Sequence, residues 1–238
     1  MEQKPILSER LKAVAAFVEQ GASVADIGTD HGFLPVWLVK SGVCTQAVAA
    51  DVRPGPLASA VRTAQAWGVS EQIRFILSDG LDQIDPQCVD TVVMAGMGGE
   101  TMMTILDRAP WTLQQGTHLI LQPQSKLDSL ANWLDCTGYA IGDACLVRDA
   151  GRIYVILSVR RGASRAPFSC AQMFADRILM EKRDPLLPDY LELLIRRARK
   201  VIRGLEQAAA PDVLELTRQR LALEGFLKMK EETNAWCR

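Results

Sequence analysis

The sequence predicts an α/β fold: a doubly wound, mostly parallel sheet of seven strands, followed by a C-terminal helical hairpin. Three observations predict it. Apolar strand-like runs alternate with helical segments over the first two thirds of the chain, the last two runs follow one another without a helix between them, and the remainder has helical periodicity. Parallel neighbours need crossover helices, so alternation implies a parallel sheet. Two strands joined only by Arg148-Asp149-Ala150-Gly151 imply an antiparallel pair at one edge. With 238 residues, 48% of them hydrophobic and 23% charged, the chain has the composition of a protein that buries a core.

The elements fall in order. Leu7, Leu11, Val14, Ala15 and Val18 recur at helical spacing behind Ser8, and Gly21 stops them. A strand follows at Ser23 to Ile27, a helix at Leu34 to Lys40, and a strand at Gln46 to Val52. The next helix, Leu57 to Trp67, begins after Pro54-Gly55-Pro56. Strands are predicted at Ile73 to Leu77 and Thr91 to Ala95, a helix at Thr101 to Arg108, and a strand at His118 to Leu121. A helix over Leu127 to Cys136 precedes the closing strands, Tyr139 to Val147 and Arg152 to Val159. Gly162 to Pro167 is a stretch of small residues and proline that suggests a boundary, dividing the chain into 1–162 and 163–238. Beyond it Leu191, Leu194, Ile195, Ala198, Ile202 and Leu205 form one apolar stripe. Val213, Leu216, Leu223 and Leu227 form a second after a break at Ala208 to Pro211, which predicts two antiparallel helices.

Bulk features exclude several classes. The six cysteines show neither C-x-x-C nor regular spacing, which argues against a disulfide framework or a zinc site. No basic start with an apolar run and no long apolar stretch is present, so the expectation is a cytoplasmic protein without a membrane segment. The net charge of −1 is unevenly placed: Leu191 to Lys230 holds nine basic and five acidic residues, +4, which leaves −5 for the rest. Arg196, Arg199, Lys200 and Arg203 share one helical face. They read either as a contact for a polyanion or as an ordinary solvated surface.

The chemistry concentrates at strand ends. Asp26-Ile27-Gly28-Thr29-Asp30-His31-Gly32 follows an apolar strand and precedes a helix, where a doubly wound sheet binds ligands. Gly28 would let backbone approach a ligand, Gly32 would let the next helix start close to the sheet, and Asp26 could accept from an ammonium or from backbone. A dinucleotide fingerprint needs a glycine where Asp30 stands, because pyrophosphate lies on backbone amides there. A carboxylate repels pyrophosphate and suits the sulfonium and amino group of S-adenosylmethionine. Asp51, with Val52 beside it, would then hold the ribose hydroxyls, and Asp79-Gly80 would meet the adenine amino group. Each Asp alone could equally be a helix cap. Ala95-Gly96-Met97-Gly98-Gly99 would line the acceptor side, or form a flexible loop. Gln122 and Gln124 could read base edges or cap a turn, and His31 could stack on a base or lie on the surface.

Together these segments resemble the bacterial tRNA (adenine-22-N1)-methyltransferases, a family of class I methyltransferases with a Rossmann-like fold. The resemblance is carried by Leu7-Ser8-Glu9-Arg10-Leu11, by Asp26 to Pro35, and by Gly55-Pro56. It continues through Ser78-Asp79-Gly80-Leu81, Ala95 to Gly99, Leu119 to Pro123 and Gly151-Arg152-Ile153-Tyr154. It implies S-adenosylmethionine as methyl donor, tRNA as partner, no metal, and methylation of adenine N1. Residues 1–162 would be the donor-binding catalytic domain and 163–238 a coiled-coil-like extension that grips tRNA through Arg196, Arg199, Lys200 and Arg203. Asp30, Gly96, Met97 and Gly98 become the candidate catalytic residues. Asp30 would stabilise the cationic methylated base or hold the donor's amino group. Two positions depart from the family pattern, Gln124 in place of Asn and Ala131 in place of Arg, both expected near the acceptor. Oligomeric state is open, with a monomer as the working expectation. Other readings are a methyltransferase acting on a small molecule or protein, and a non-catalytic protein that binds S-adenosylmethionine or RNA. A nicotinamide dehydrogenase is disfavoured by the glycine spacing.

Overall fold

A computed structural model describes residues 6–163, 168–208, 210 and 212–237. Its seven strands are β1 (Val24–Ile27), β2 (Ala47–Asp51), β3 (Ile73–Leu77), β4 (Thr91–Gly98), β5 (His118–Ser125), β6 (Tyr139–Asp149) and β7 (Arg152–Arg161). They form one sheet in the order β3-β2-β1-β4-β5-β7-β6, with β7 antiparallel to both of its neighbours. The order reverses between β1 and β4, and a cleft opens at such a point beyond the carboxyl ends of the strands.

Helices α1 (Glu9–Ala15), α2 (Phe33–Lys40), α3 (Pro54–Ala66), α4 (Gly99–Asp107), α5 (Trp111–Gln114) and α6 (Leu127–Cys136) cover the sheet. Ser8 caps α1 by accepting from the Leu11 amide at 3.3 Å, and Pro54 opens α3, where its missing N–H costs nothing. Side chains alternate along the central strands and divide the core in two. Ala25, Ile27, Val92, Met94, Leu119 and Leu121 face α4 and α6, whereas Val24, Val93 and Ile120 face α1 and α2. Both faces are covered, which is why β1 and β2 are buried at every position and are apolar but for Asp26, next to last in β1, and Asp51, last in β2.

The strands β4 and β5 run past their expected ends. They stay paired through Gly98 and Ser125 by way of irregularities between Ala95, Met97 and Gly98. Gly96 and Gly98, for which the sequence left a flexible loop open as the alternative to a cleft lining, are therefore bulged strand, which bends without being released.

The C-terminal part comprises α7 (Arg177–Glu181), α8 (Leu187–Glu206) and α9 (Val213–Asn234). The expected boundary at Gly162 to Pro167 and the break at Ala208 to Pro211 lie partly outside the described residues. Leu187, Leu191, Leu194 and Ile195 of α8 and Phe226 of α9 join the same apolar cluster as β4, β5 and α4. Asp184, just before α8, accepts from the Leu146 amide at 2.9 Å, so the extension supplies an acceptor to edge strand β6. Ion pairs Lys182–Asp143 (2.7 Å) and Arg148–Asp189 (2.6 Å), and one between Arg218 and Asp128, tie it to the sheet and to α6.

Candidate active site

A cavity of about 660 Å³ lies at the carboxyl ends of β1, β2 and β4. Asp26, near the end of β1, is buried, and burial pushes its carboxyl up from 3.8 to about 6. The Thr29 hydroxyl and the Arg10 guanidinium oppose the rise, and the Asp51 charge adds to it. Asp51, the last residue of β2, is also buried. Its carboxylate accepts from the Arg53 amide at 2.9 Å and the Asp30 amide at 3.4 Å, so its orientation is fixed by backbone. Asp79 follows β3. Arg108 donates to its carboxylate and to its carbonyl, both at 3.0 Å, pinning the loop and holding the carboxyl below the usual range.

The turn between β1 and α2 depends on glycine twice. Gly28 has φ of +73°, and a Cβ there would fall 2.4 Å from Met97 Cε, so the methionine packs directly onto the turn. Gly32 has φ of +69°, and its Cβ would fall 2.8 Å from the Cβ of Ala60. The close approach that Gly32 permits is thus to α3, not to the sheet as the sequence suggested. At the mouth, Asp30 is exposed with φ of +52°, and its carboxylate lies 3.7 Å from His31 Nε2. The His31 ring stands 5.7 Å from that of Phe33, both on the exposed rim.

A second cavity of about 710 Å³ adjoins the first. It is bounded by the end of β5, the β6–β7 turn and α8, and Gln124 lines both cavities. Lys126, Arg148, Arg152, Arg196 and Arg197 contribute positive charge to its walls, against Asp128, Asp189 and Glu192. Arg148 pairs with Asp189 and Lys230 with Glu192; among the described residues no ion pair engages Arg152, Arg196 or Arg197. The groove therefore keeps uncompensated cations beside the first cavity.

Most of the expected residues meet in these two spaces. Asp26, Gly28, Thr29, Asp30, His31, Asp51, Val52, Asp79, Gly80, Ala95, Gly96, Met97 and Gln124 all line the first cavity, and Arg196 lines the second. Three expectations need correction. Gln122 is fully buried, its amide engaged with Arg10 and the Pro123 carbonyl, so it is closed to a base edge. Gly98 stands behind the cavity wall as the N-cap of α4, against Ser125. Ala131 is a buried position on α6 that lines neither cavity, so the departure there is not on the acceptor side. Arg199, Lys200 and Arg203 are exposed beyond the groove and do not line it.

Three residues to which sequence reasoning gave no role matter here: Arg10, Tyr154 and Arg108. Arg10 lines the first cavity from α1. Its signal is visible in retrospect, because Leu7, Arg10 and Val14 share the inward face of an amphipathic helix, an odd place for a guanidinium.

A Rossmann-like sheet with an antiparallel β7, carrying carboxylates at three successive strand ends and a glycine turn between β1 and α2, defines the methyltransferase class. The sequence pattern of the Methyltransferase domain family matches residues 7–157. A more particular likeness is to the tRNA (adenine(22)-N(1))-methyltransferase of Bacillus subtilis, 32% identical over 173 residues that span 73% of each protein. Among solved structures, Streptococcus pneumoniae Sp1610 in complex with S-adenosyl-L-methionine superposes with TM-score 0.81 at 30% identity, covering 94% of this chain and 100% of that one. The B. subtilis m1A22 tRNA methyltransferase TrmK superposes with TM-score 0.78 at 26% identity, covering 98% and 99%. This chain belongs to the methyltransferase-domain family and, within it, to the tRNA (adenine(22)-N(1))-methyltransferase family. Among the described residues no helix is long and apolar enough to cross a membrane, and no group of three or more His, Cys, Asp and Glu side chains could hold a metal ion.

Proposed function

We propose that this protein transfers a methyl group from S-adenosylmethionine to N1 of adenine 22 in tRNA. The observation that carries the reading is the adjacency of the two cavities at Gln124. One presents acidic side chains suited to a cationic donor, and the other presents unpaired guanidinium groups suited to a phosphate backbone.

The residues of the first cavity fit the donor. Asp51, held by two amides, offers both carboxylate oxygens to a ribose diol. Asp79 keeps its main chain and side chain fixed by Arg108 at the place an adenine would reach, and Gly28 leaves backbone bare for the aminopropyl arm. S-adenosylmethionine supplies an electrophilic methyl on a sulfonium. Adenine N1 carries its own lone pair and needs no base to remove a proton, so the chain's work is alignment and charge stabilisation. Asp30 is exposed at the mouth and unburdened by burial, and it serves as the carboxylate that faces the positive charge developing on the methylated base. His31 and Phe33 form a ready ring surface beside it for an adenine turned out of its stack. The bulged run Ala95-Gly96-Met97 gives that base a wall without bulky side chains at Gly96.

Residues 163–238 act as the tRNA-gripping part, with Arg196 and Arg197 at the groove and Arg199, Lys200 and Arg203 continuing the basic track outward. The protein acts in the cytoplasm and as a monomer. The test is incubation with isotopically labelled donor and unmodified tRNA, followed by nucleoside mass spectrometry. Labelled 1-methyladenosine at position 22, absent when that adenine is replaced by guanine, is the expected result. Label on protein or on a small molecule alone would overturn the reading.

A further inference from the structure

The second cavity joins two chemistries, and a groove that only gripped a phosphate backbone would need one of them. Guanidinium groups of Arg152, Arg196 and Arg197 stand on its walls, yet much of its lining is apolar: Ile153, Phe174, Leu193 and Leu194 contribute to it, and Val201 of α8 is 41% exposed there. Phosphate gains nothing from an apolar surface, whereas a nucleobase gains through its flat face. Tyr154 lines the same cavity, half-buried, and its hydroxyl has no hydrogen-bond partner among the described residues. The ring is braced by a residue of the first cavity: the Arg10 guanidinium stands 5.8 Å from its centre and is itself fastened, Nη1 donating to Oε1 of the buried Gln122 at 2.8 Å. Tyr154 belongs to β7 and pairs with Val147 of β6, so the sheet and not a loop carries the ring.

Turning an adenine out of its stack leaves the neighbouring base without a partner on one face, and aromatic side chains are what proteins offer to unstacked RNA bases. The two cavities adjoin at Gln124, so the nucleotide next to one held in the first cavity falls at the second. We propose that the second cavity takes the base of a nucleotide flanking the target adenine, stacked on Tyr154, while Arg152 and Arg197 meet its phosphate and Arg10 positions the ring. The inference rests on the tRNA acceptor named above and deepens it: the groove selects an unstacked neighbour as well as holding the backbone. A single RNA strand supplies both the flat apolar face and the negative charge that this lining asks for. A base stacked on an aromatic ring changes affinity by about five- to a hundredfold.

The experiment measures kcat/KM for methylation of three RNAs: unmodified tRNA, and the same tRNA made abasic at position 21 or at position 23. Tyr154→Leu is expected to lower kcat/KM on the intact tRNA about tenfold, and Tyr154→Phe to recover most of that loss, because the stack uses the ring and not the hydroxyl. On one of the two abasic tRNAs the wild-type protein is expected to fall by a similar factor, with no further loss from Tyr154→Leu, which is the signature of a shared contact. Affinity for S-adenosylhomocysteine, measured by calorimetry without tRNA, reports whether the first cavity is intact in each variant. A Tyr154→Leu loss that persists undiminished on both abasic tRNAs, no loss on any, or an equal loss for Tyr154→Phe would overturn the proposal. So would a fall in S-adenosylhomocysteine affinity large enough to account for the kinetic effect. A wild-type dimer in solution that Val201→Glu dissociates would give the groove to a second copy of this chain and overturn it as well. Wild-type protein that methylates no tRNA would remove the acceptor reading and this inference together, whereas full methylation with Tyr154→Leu unaffected would remove this inference alone.

Discussion

Asp26 shows how a single carboxyl serves binding at the expense of stability. Its folded-state value of about 6, against 3.8 for an ordinary Asp, means that the native protein holds this proton more tightly than the unfolded chain does. The cost of ionising it is fully present above about pH 6 and disappears as pH falls through 6 towards 3.8. Asp26→Asn is therefore expected to raise thermal stability at pH 8, by on the order of 2 kcal/mol, with the gain fading near pH 4. The same change should weaken donor binding at least tenfold, and wild-type donor affinity should fall as pH drops below 6. Calorimetric unfolding and ligand titration over pH 4–8 check both halves, and equal stabilities at pH 8 would contradict the first. This residue, with Asp51 and Asp79, was legible in the sequence because each stands at or beside the end of an apolar run. Arg10 was not, because its role comes from Gln122 and Tyr154, 112 and 144 positions away, which only folding brings to it.

Among elements, α8 carries the most distinct division of labour. One side supplies Leu187, Leu191, Leu194 and Ile195 to the core, and Arg196, Arg199, Lys200 and Arg203 remain exposed. Reversing those four to Glu is expected to reduce tRNA affinity at least tenfold and to flatten its dependence on salt, with donor affinity unchanged. Filter binding at several salt concentrations tests this, and unaltered tRNA affinity would reduce the basic track to a solvated surface. The stripe on α8 was readable because twenty residues give a periodic pattern room to repeat. Helices α5 and α7, with four and five residues, offer a single turn each and escape any periodicity. The ends of β4 and β5 were missed for another reason. Glycine and proline in Gly96-Met97-Gly98 and Gln122-Pro123-Gln124 mark turns in most contexts, and here they mark bulges that keep pairing while bending.

At the scale of the molecule, the division at residue 162 separates sequence patterns more cleanly than it separates packing. The apolar side of α8 belongs to the cluster that holds β4, β5 and α4, and Asp184 covers an amide of the sheet edge. A chain ending at residue 162 is therefore expected to aggregate or to unfold at markedly lower temperature than the full chain, because it exposes that apolar face and leaves the Leu146 amide without its acceptor. Scanning calorimetry with light scattering decides this, and an equally stable, monodisperse fragment would show the two parts to be independent. The β6–β7 hairpin has a consequence of its own. Its Tyr154 and Arg152 both line the second cavity, and the Tyr154 ring lies 5.8 Å from the Arg10 guanidinium that lines the first, so the ribbon borders one cavity and touches the wall of the other. Whatever free energy ties the filling of one cavity to the filling of the other is felt equally from both directions. The factor by which donor tightens tRNA must equal the factor by which tRNA tightens donor, and loosening the ribbon at Tyr154 should shrink both together.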